Sequence, residues 1–396
     1  MGLGDAGLVV RTIVGDNVKE AQFVDPSTGV TYRLDSGLWR SPTGAPFMLT
    51  PMGGFRRDQI VATDRSMWRY RAALPIDLEP PVSLGEGCTP MLASTFRGSE
   101  CRFKLEWFSP TGSFKDRGAS ALVSFLKEQG IDEILEDSSG NGGAAIAAYG
   151  AAAGMAVTIL VPEKTLPAKV VQSRASGAVV QLVPGDREAT EQAAMEMSSE
   201  IFYAGHNWHP MFLQGTKTLG YEIWEDLGFQ VPDNIVIPAS AGSSLLGCYL
   251  AFTELVASGE ADRLPRLFMA QPANCAPVHA SFQAGLDYLV GGDWAPTIAD
   301  GTAIQRPVRL QQILTALRDS DGGTVAVPEN AIRTASLELA GRGLYVEPTS
   351  ALGAAGYSQL LEHGTLADHE ETVVVLTGTG LKATSFYSDL VENAQN

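Results

Sequence analysis

One lysine of the chain stands where a nucleophile would be placed. The stretch from Ser109 to Gly118 reads Ser-Pro-Thr-Gly-Ser-Phe-Lys-Asp-Arg-Gly. Pro110 and Gly112 punctuate a turn, and Thr111 or Ser113 is a candidate helix cap. Beyond Phe114, Ala119, Leu122, Val123 and Leu126 recur at three- and four-residue spacing, which predicts a helix. Lys115 then lies in the first turn, where outward-pointing N–H groups make the local potential positive. That potential, with partial burial, disfavours an ammonium and lowers the lysine pKa. A neutral lysine amine is a nucleophile and forms a Schiff base with an aldehyde. The alternative, on this segment alone, is a solvated lysine beside Asp116 at a helix start.

Two further loops have the composition of anion cradles. Ile131 to Glu136 is strand-like and runs into Asp137-Ser138-Ser139-Gly140-Asn141-Gly142-Gly143, then into an alanine-rich helix. Asn234 to Pro238 reads as a strand and empties into Ala239-Ser240-Ala241-Gly242-Ser243-Ser244, opening a helix near Leu245. Strand, polar glycine loop and helix present backbone donors to an anion. The second loop lacks both the lysine of a Walker loop and the three spaced glycines of a dinucleotide fingerprint. The apolar strand Thr372 to Leu376 ends in Thr377-Gly378-Thr379-Gly380. His206 and His209 are three apart with no third ligand near, so ordinary polar roles are expected and no metal. Cys88, Cys101, Cys248 and Cys275 match no zinc or redox spacing and read as reduced thiols.

The elements that must position these loops alternate. Arg102 to Trp107, Val157 to Val161, Val179 to Val183 and Arg266 to Gln271 read as further strands. Helices are expected at about 167–176, 188–200 and 329–341, with Thr349 or Ser350 capping another. This is an α/β class with open, mostly parallel sheets, whose strand ends line one crevice. Phe23 to Arg40 reads as a hairpin in an N-terminal arm. The net charge of −17 argues against nucleic acid and anionic membrane as partners. No run is long and apolar enough to span a bilayer and no basic-then-apolar leader is visible, so a cytoplasmic protein is expected. A candidate Schiff-base lysine together with a separate phosphate cradle suggests pyridoxal phosphate.

At this point the chain resembles the fold-type II pyridoxal-phosphate enzymes, and within them the threonine synthases. The resemblance rests on GEGCTPM at 85–91, SPTGSFKDRG at 109–118, SSGNGGAA at 138–145, LQGTKTLGYE at 213–222, IPASAGSSLLG at 237–247, VEPTSALGAAG at 346–356 and LTGTGLK at 376–382. Seven ordered matches are far more specific than any one. The resemblance implies two domains: residues 81–125 with 216–396 as the large cofactor-binding domain, 126–215 as a smaller α/β domain, and 1–80 as an arm packed on the large one. It implies that Lys115 holds the cofactor, that Asn141 bonds its ring hydroxyl, and that Ser240, Ala241, Gly242, Ser243 and Ser244 cradle its phosphate. Thr377 would face the ring nitrogen. Ser138, Ser139, Gly140 and Asn141 would take the substrate, with Lys217 as a further substrate contact. The implied reaction converts O-phospho-L-homoserine and water to L-threonine and phosphate, in a homodimer whose partner is a small amino-acid substrate.

Three positions depart from that pattern. Phe212 stands where the family has an arginine, Gly142 where a threonine is usual, and Thr379 where a histidine is usual. The first two help hold the substrate phosphate in the family. Lys217 is the basic residue left in the matched segment, and Arg117 lies near Lys115 in sequence; either the phosphate site is relocated, using Lys217 with Arg306 or Arg309, or the leaving group differs. The second branch covers dehydratase-like or ammonia-lyase-like elimination and cysteate-synthase-like replacement.

Overall fold

The computed structural model describes residues 21–395 of the 396-residue chain. The first part of the N-terminal arm therefore lies outside the described residues. The arm begins with three short strands, β1 (Phe23–Val24), β2 (Thr31–Tyr32) and β3 (Met48–Leu49). β1 pairs antiparallel with both others, Phe23 opposite Tyr32 and Leu49. The apolar residues of the arm fall into two groups. Phe23 and Phe47 stack at 5.1 Å and join a core with Phe125, Tyr149 and Val157. Phe55 and Tyr70 join another with Tyr221, Trp224 and Ile235. The arm thus contributes to a core on each of the two larger sheets.

β4 (Met91–Phe96) and β5 (Ser99–Leu105) form a hairpin, and a loop then leads to α1 (Lys115–Glu128). β4 escapes the sequence reading because it is an edge strand, largely exposed, with no alternating pattern to see. The next segment is β6 (Glu133–Glu136), α2 (Asn141–Ala153), β7 (Ala156–Pro162), α3 (Pro167–Ala175), β8 (Val179–Val183), α4 (Arg187–Met197) and β9 (Phe202–Tyr203). Its strands form a parallel sheet in the order β8-β7-β6-β9.

α5 (Pro210–Asp226) follows, buried on nearly every side, which is why a segment of mixed polarity gives no amphipathic signal. Then come β10 (Asn234–Pro238), α6 (Ser243–Ala257), β11 (Arg266–Pro272), α7 (Pro277–Gln283), α8 (Leu310–Asp319), β12 (Gly323–Val327), α9 (Glu329–Ala340), α10 (Pro348–Glu362), β13 (Thr372–Leu376) and α11 (Thr384–Gln395). The larger sheet has the order β12-β11-β10-β13-β5-β4, parallel except for β4. β10 and β13 are buried throughout, as parallel strands covered by helices on both faces must be. β5, β6, β10 and β13 all end toward one crevice, at their C-terminal ends. No helix among the described residues is long and apolar enough to cross a membrane.

Candidate active site

The loop after β5 delivers Lys115 to that crevice as the first residue of α1. The cap is not the expected one. Phe114 occupies the cap position without a side-chain hydrogen bond. Asp116 instead reaches back and accepts from the Thr111 backbone N–H at 2.6 Å and from its hydroxyl. The helix thus braces its own entry loop, and Lys115 is left unengaged by it. The Lys115 amine lies 4.8 Å from the Phe114 ring centre and 5.5 Å from that of Phe212. Burial pushes it down to about 8; Arg187 adds to the shift, while Glu136 and Glu347 oppose it. The expected direction holds, and desolvation is the largest cause.

A cavity of about 450 Å³ opens beside this amine. Every residue singled out above for cofactor or substrate lines it, except Lys217 and the other candidate cations Arg117, Arg306 and Arg309. Three of its walls have the form a phosphorylated aromatic cofactor needs. The first is the start of α6, where Gly242 is in the left-handed region (φ 80°) and no side chain caps the helix. A Cβ on Gly242 would come within 2.5 Å of Ile313, so the loop is as close-packed as a glycine permits. The Ser244 hydroxyl here is buried and has no hydrogen-bond partner. An orphaned donor beside free helix N–H groups fits a phosphate. The second wall is the end of β13, where the Thr377 hydroxyl lies 3.0 Å from that of Ser350. The third is the start of α2, also uncapped by any side chain. Asn141 there donates to both Glu347 carboxylate oxygens at 3.0 and 3.1 Å and accepts from Lys382 at 2.9 Å. Its amide is thus tied to two partners and must release one to reach a ligand. The residues present fit pyridoxal phosphate.

Ser244 carries a prediction. Truncating it removes a buried hydroxyl that satisfies nothing in the protein alone, so Ser244→Ala should leave the stability of the cofactor-free protein unchanged or slightly raised. A charge-assisted bond to phosphate is worth about 1.5–3 kcal/mol, so cofactor affinity should fall roughly 10- to 100-fold. Urea unfolding of the cofactor-free protein and an absorbance titration with the cofactor measure the two separately. Equal cofactor affinity in variant and wild type would remove Ser244 from the cradle.

The cations expected near a substrate phosphate are elsewhere. Lys217 is fully buried on α5 and donates to the Ala73 carbonyl at 2.9 Å and to Glu254 at 2.8 Å. It stands five residues beyond Phe212, about 140° around a helix of 3.6 residues per turn. Phe212 faces Lys115, so Lys217 faces away toward α6. Arg309 is buried and spends its guanidinium on the carbonyls of Phe47, Asn207 and Trp208. Arg306 is exposed and lies 3.8 Å from Glu188. Arg117 is sealed in an ion-pair cluster with Glu106 and Glu222.

Four ionisable lining residues have no site role in the sequence reading: Arg187, His206, Glu347 and Lys382. Arg187 opens α4 and has no carboxylate partner among the described residues, although a cation at a helix N-terminus is disfavoured by the dipole. Glu347, not Thr349 or Ser350, is the cap residue of α10, ahead of Pro348. Burial pushes its carboxyl up to about 7, with Lys382 and Asn141 opposing. The Nδ1 atom of His206 is 2.7 Å from Glu136 Oε1, and its backbone N–H donates to Glu136 Oε2 at 3.0 Å. His206 also explains Gly142: a Cβ there would lie 2.7 Å from the imidazole. The threonine of the family pattern has no room. Among the described residues no group of three His, Cys, Asp or Glu side chains is placed to hold a metal.

The chain is similar to known proteins along most of its length. The family described as pyridoxal-phosphate dependent enzyme matches residues 82–378. A threonine synthase of Methanosarcina acetivorans is 34% identical over 335 residues, covering 83% of this chain and 82% of that protein. A threonine synthase of Methanocaldococcus jannaschii is 33% identical, covering 80% of each. Among solved structures, threonine deaminase isoform 2 of Solanum lycopersicum superposes with a TM-score of 0.68 at 21% identity, over 87% of this chain and 90% of that one. Maize serine racemase superposes with a TM-score of 0.64 at 23% identity, over 78% and 92%. These two likenesses establish the shared fold.

Proposed function

Because this chain belongs to the pyridoxal-phosphate-dependent enzyme family, we propose that it is a carbon–oxygen lyase acting on an amino acid in the manner of its threonine synthase relatives. The leading reaction is conversion of O-phospho-L-homoserine and water to L-threonine and phosphate. One observation carries the reading: Lys115, the uncapped start of α6 and Thr377 border a single cavity. When bound, pyridoxal phosphate supplies an electron sink conjugated to the substrate α-carbon. Lys115 would hold it and, as the free amine, take the α-proton. The N–H groups from Ser240 to Ser244, with the Ser244 hydroxyl, would receive its phosphate. Thr377 would face its ring nitrogen. A hydroxyl is a poor counter-ion for a pyridinium, so the sink is weakened and elimination or replacement at Cβ or Cγ is favoured over transamination. Asn141 would meet the ring hydroxyl, and the α2 start at Ser138, Ser139 and Gly140 the substrate carboxylate. The division at 81–125 with 216–396 and 126–215, a cytoplasmic location and a homodimer belong to the same reading.

A second reading keeps the cofactor and changes the leaving group. It is favoured by Phe212, whose ring rather than a guanidinium lies beside the Lys115 amine. Here the substrate would be a hydroxy amino acid, as in a threonine or serine dehydratase. Under the first reading Arg187, which lines the cavity, would be a cation that meets the substrate phosphate. Arg187→Ala should then raise KM for phosphohomoserine about 10- to 100-fold, the loss of one charge-assisted pair. The test supplies the purified enzyme with O-phospho-L-homoserine and, separately, with L-threonine. Phosphate release with threonine formation supports the first reading. Keto acid from threonine without phosphate release supports the second. Neither product from any amino acid would refute the lyase.

A further inference from the structure

The cavity wall next to Lys115 holds an acid–base pair to which neither reading above gives work. Glu136 ends β6 and is fully buried; His206 stands in the loop before α5 and is 5% exposed. Glu136 engages the imidazole Nδ1 and the backbone N–H of His206 together, which fixes the ring plane. The Phe212 ring packs edge-on at 5.5 Å, and Gly142 lies so close that a Cβ there would come within 2.7 Å of the imidazole. Nδ1 is therefore committed, and since His206 lines the cavity, Nε2 is the ring nitrogen left for a ligand.

Resting on the proposed lyase reading, we infer that His206, positioned by Glu136, carries the proton to and from the oxygen on the substrate β-carbon. The same assignment serves both readings, since one adds water at that carbon and the other removes hydroxyl from it. For loss of hydroxyl from L-threonine the step balances as follows. The Cα–H proton goes to the Lys115 amine, and its electron pair becomes the second Cα–Cβ bond. The Cβ–O bond breaks and its pair leaves with oxygen. The Nε2 proton of His206 moves to that oxygen, releasing water, while the Glu136 carboxyl proton moves to Nδ1. The released amino-crotonate hydrolyses to 2-oxobutanoate and ammonia. Addition of water runs the same proton path backward. No imidazolium forms at any point.

The groups facing the pair suit this path. Burial pushes the Glu136 carboxyl up to about 7, with the His206 backbone N–H, Lys115, the Asp137 backbone N–H and Arg187 opposing. Burial holds the His206 imidazole well below its ordinary range; Lys115 and Arg187 add to this, and Asp137 opposes it. Asp137 itself is held by the Tyr203 hydroxyl at 2.8 Å. The pair's exchangeable proton thus resides on the carboxyl and is lost as pH rises through about 7. Loss of hydroxyl should fall above that pH.

The test uses the holoenzyme and the variants His206→Gln, Glu136→Gln and Glu136→Asp. It reads 2-oxobutanoate from L-threonine, threonine from phosphohomoserine, and exchange of the α-proton of L-2-aminobutyrate into D₂O. The last substrate has no oxygen at Cβ. His206→Gln should lose about 10²- to 10⁴-fold in the oxygen step, the usual contribution of a positioned acid–base group. Its α-exchange should stay within about threefold. Glu136→Gln should abolish the fall near pH 7, and Glu136→Asp should restore part of it. An infrared titration of the cofactor-free protein should show a carboxyl band titrating near pH 7 that Glu136→Gln removes. Equal losses in exchange and oxygen chemistry would overturn the inference in favour of a packing role. An unchanged rate and pH profile, or a Glu136 ionised throughout, would also overturn it. A wild type that exchanges but neither loses nor adds oxygen overturns it alone. A wild type that does neither overturns the lyase reading with it.

Discussion

Lys115→Ala should lower turnover on any substrate by on the order of 10⁴-fold, since it removes both the covalent anchor and the base at the α-carbon. The wild type should be yellow with bound cofactor, and borohydride should fix the cofactor to the peptide containing Lys115. In the variant that label should vanish, while the proposed cradle at Ser240 to Ser244 should still bind the phosphate, so some cofactor should remain by reversible binding. Label at another lysine, or turnover within tenfold of wild type, would remove Lys115 from its assigned role. Exogenous amine should restore part of the rate, more so at higher pH, because the added base acts only unprotonated. The wild-type lysine needs less help. Burial pushes it down to about 8 in the protein alone, which leaves roughly a tenth of it neutral at pH 7.

The parts of this site that were legible in the sequence share one property: their signal is local. Gly242 and the serines after it follow directly on β10, and Asn141 follows directly on β6. In each, strand, loop and helix are written in consecutive residues. Lys115 was legible for the same reason. What the sequence hid depends on partners far along the chain. Lys217 looks like a substrate cation beside Thr218 until Glu254, 37 residues on, claims its amine. Asp116 stands beside Lys115 in sequence but binds Thr111. His206 looks like an ordinary polar residue until Glu136, 70 residues earlier, fixes its ring. Phe212 was visible as a departure. Its meaning was not, because only the crossing of α5 with α1 brings its ring to the Lys115 amine. Periodicity reports which face of a helix is apolar and cannot report which buried polar atoms on it meet.

Arg117 shows the largest gap between the two levels, and its removal should be the most destabilising change near the site. Two residues after Lys115, it suggested a cation for substrate. It is instead fully buried, with its guanidinium donating to both oxygens of Glu106 at 2.7 and 2.8 Å and both of Glu222 at 2.9 and 3.0 Å. Lys104 also donates to Glu222 and to Asp226, each at 2.7 Å. These contacts tie α1 to β5 and α5, so they set where the first turn of α1, and with it Lys115, is held. Arg117→Met keeps much of the volume and leaves two buried carboxylates with one lysine. Breaking a buried pair in this way costs about 3–5 kcal/mol. The pH dependence should change sign as well. In the wild type, Arg117 and Lys104 hold the Glu222 carboxyl well below its ordinary range. That stability is present above the unfolded carboxylate pKa and is lost as pH falls through the folded one. In Arg117→Met the orphaned carboxylates take up protons on folding, so stability should instead fall as pH rises from 5 to 8. The slope should be up to about 1.4 kcal/mol per pH unit for each proton taken up. Adding Glu106→Gln should recover part of the loss, because it removes the carboxylate that has no other cation. Urea unfolding of the cofactor-free protein across that pH range measures all three. A variant within about 1 kcal/mol of wild type at every pH would mean that water, rather than Arg117, satisfies this cluster.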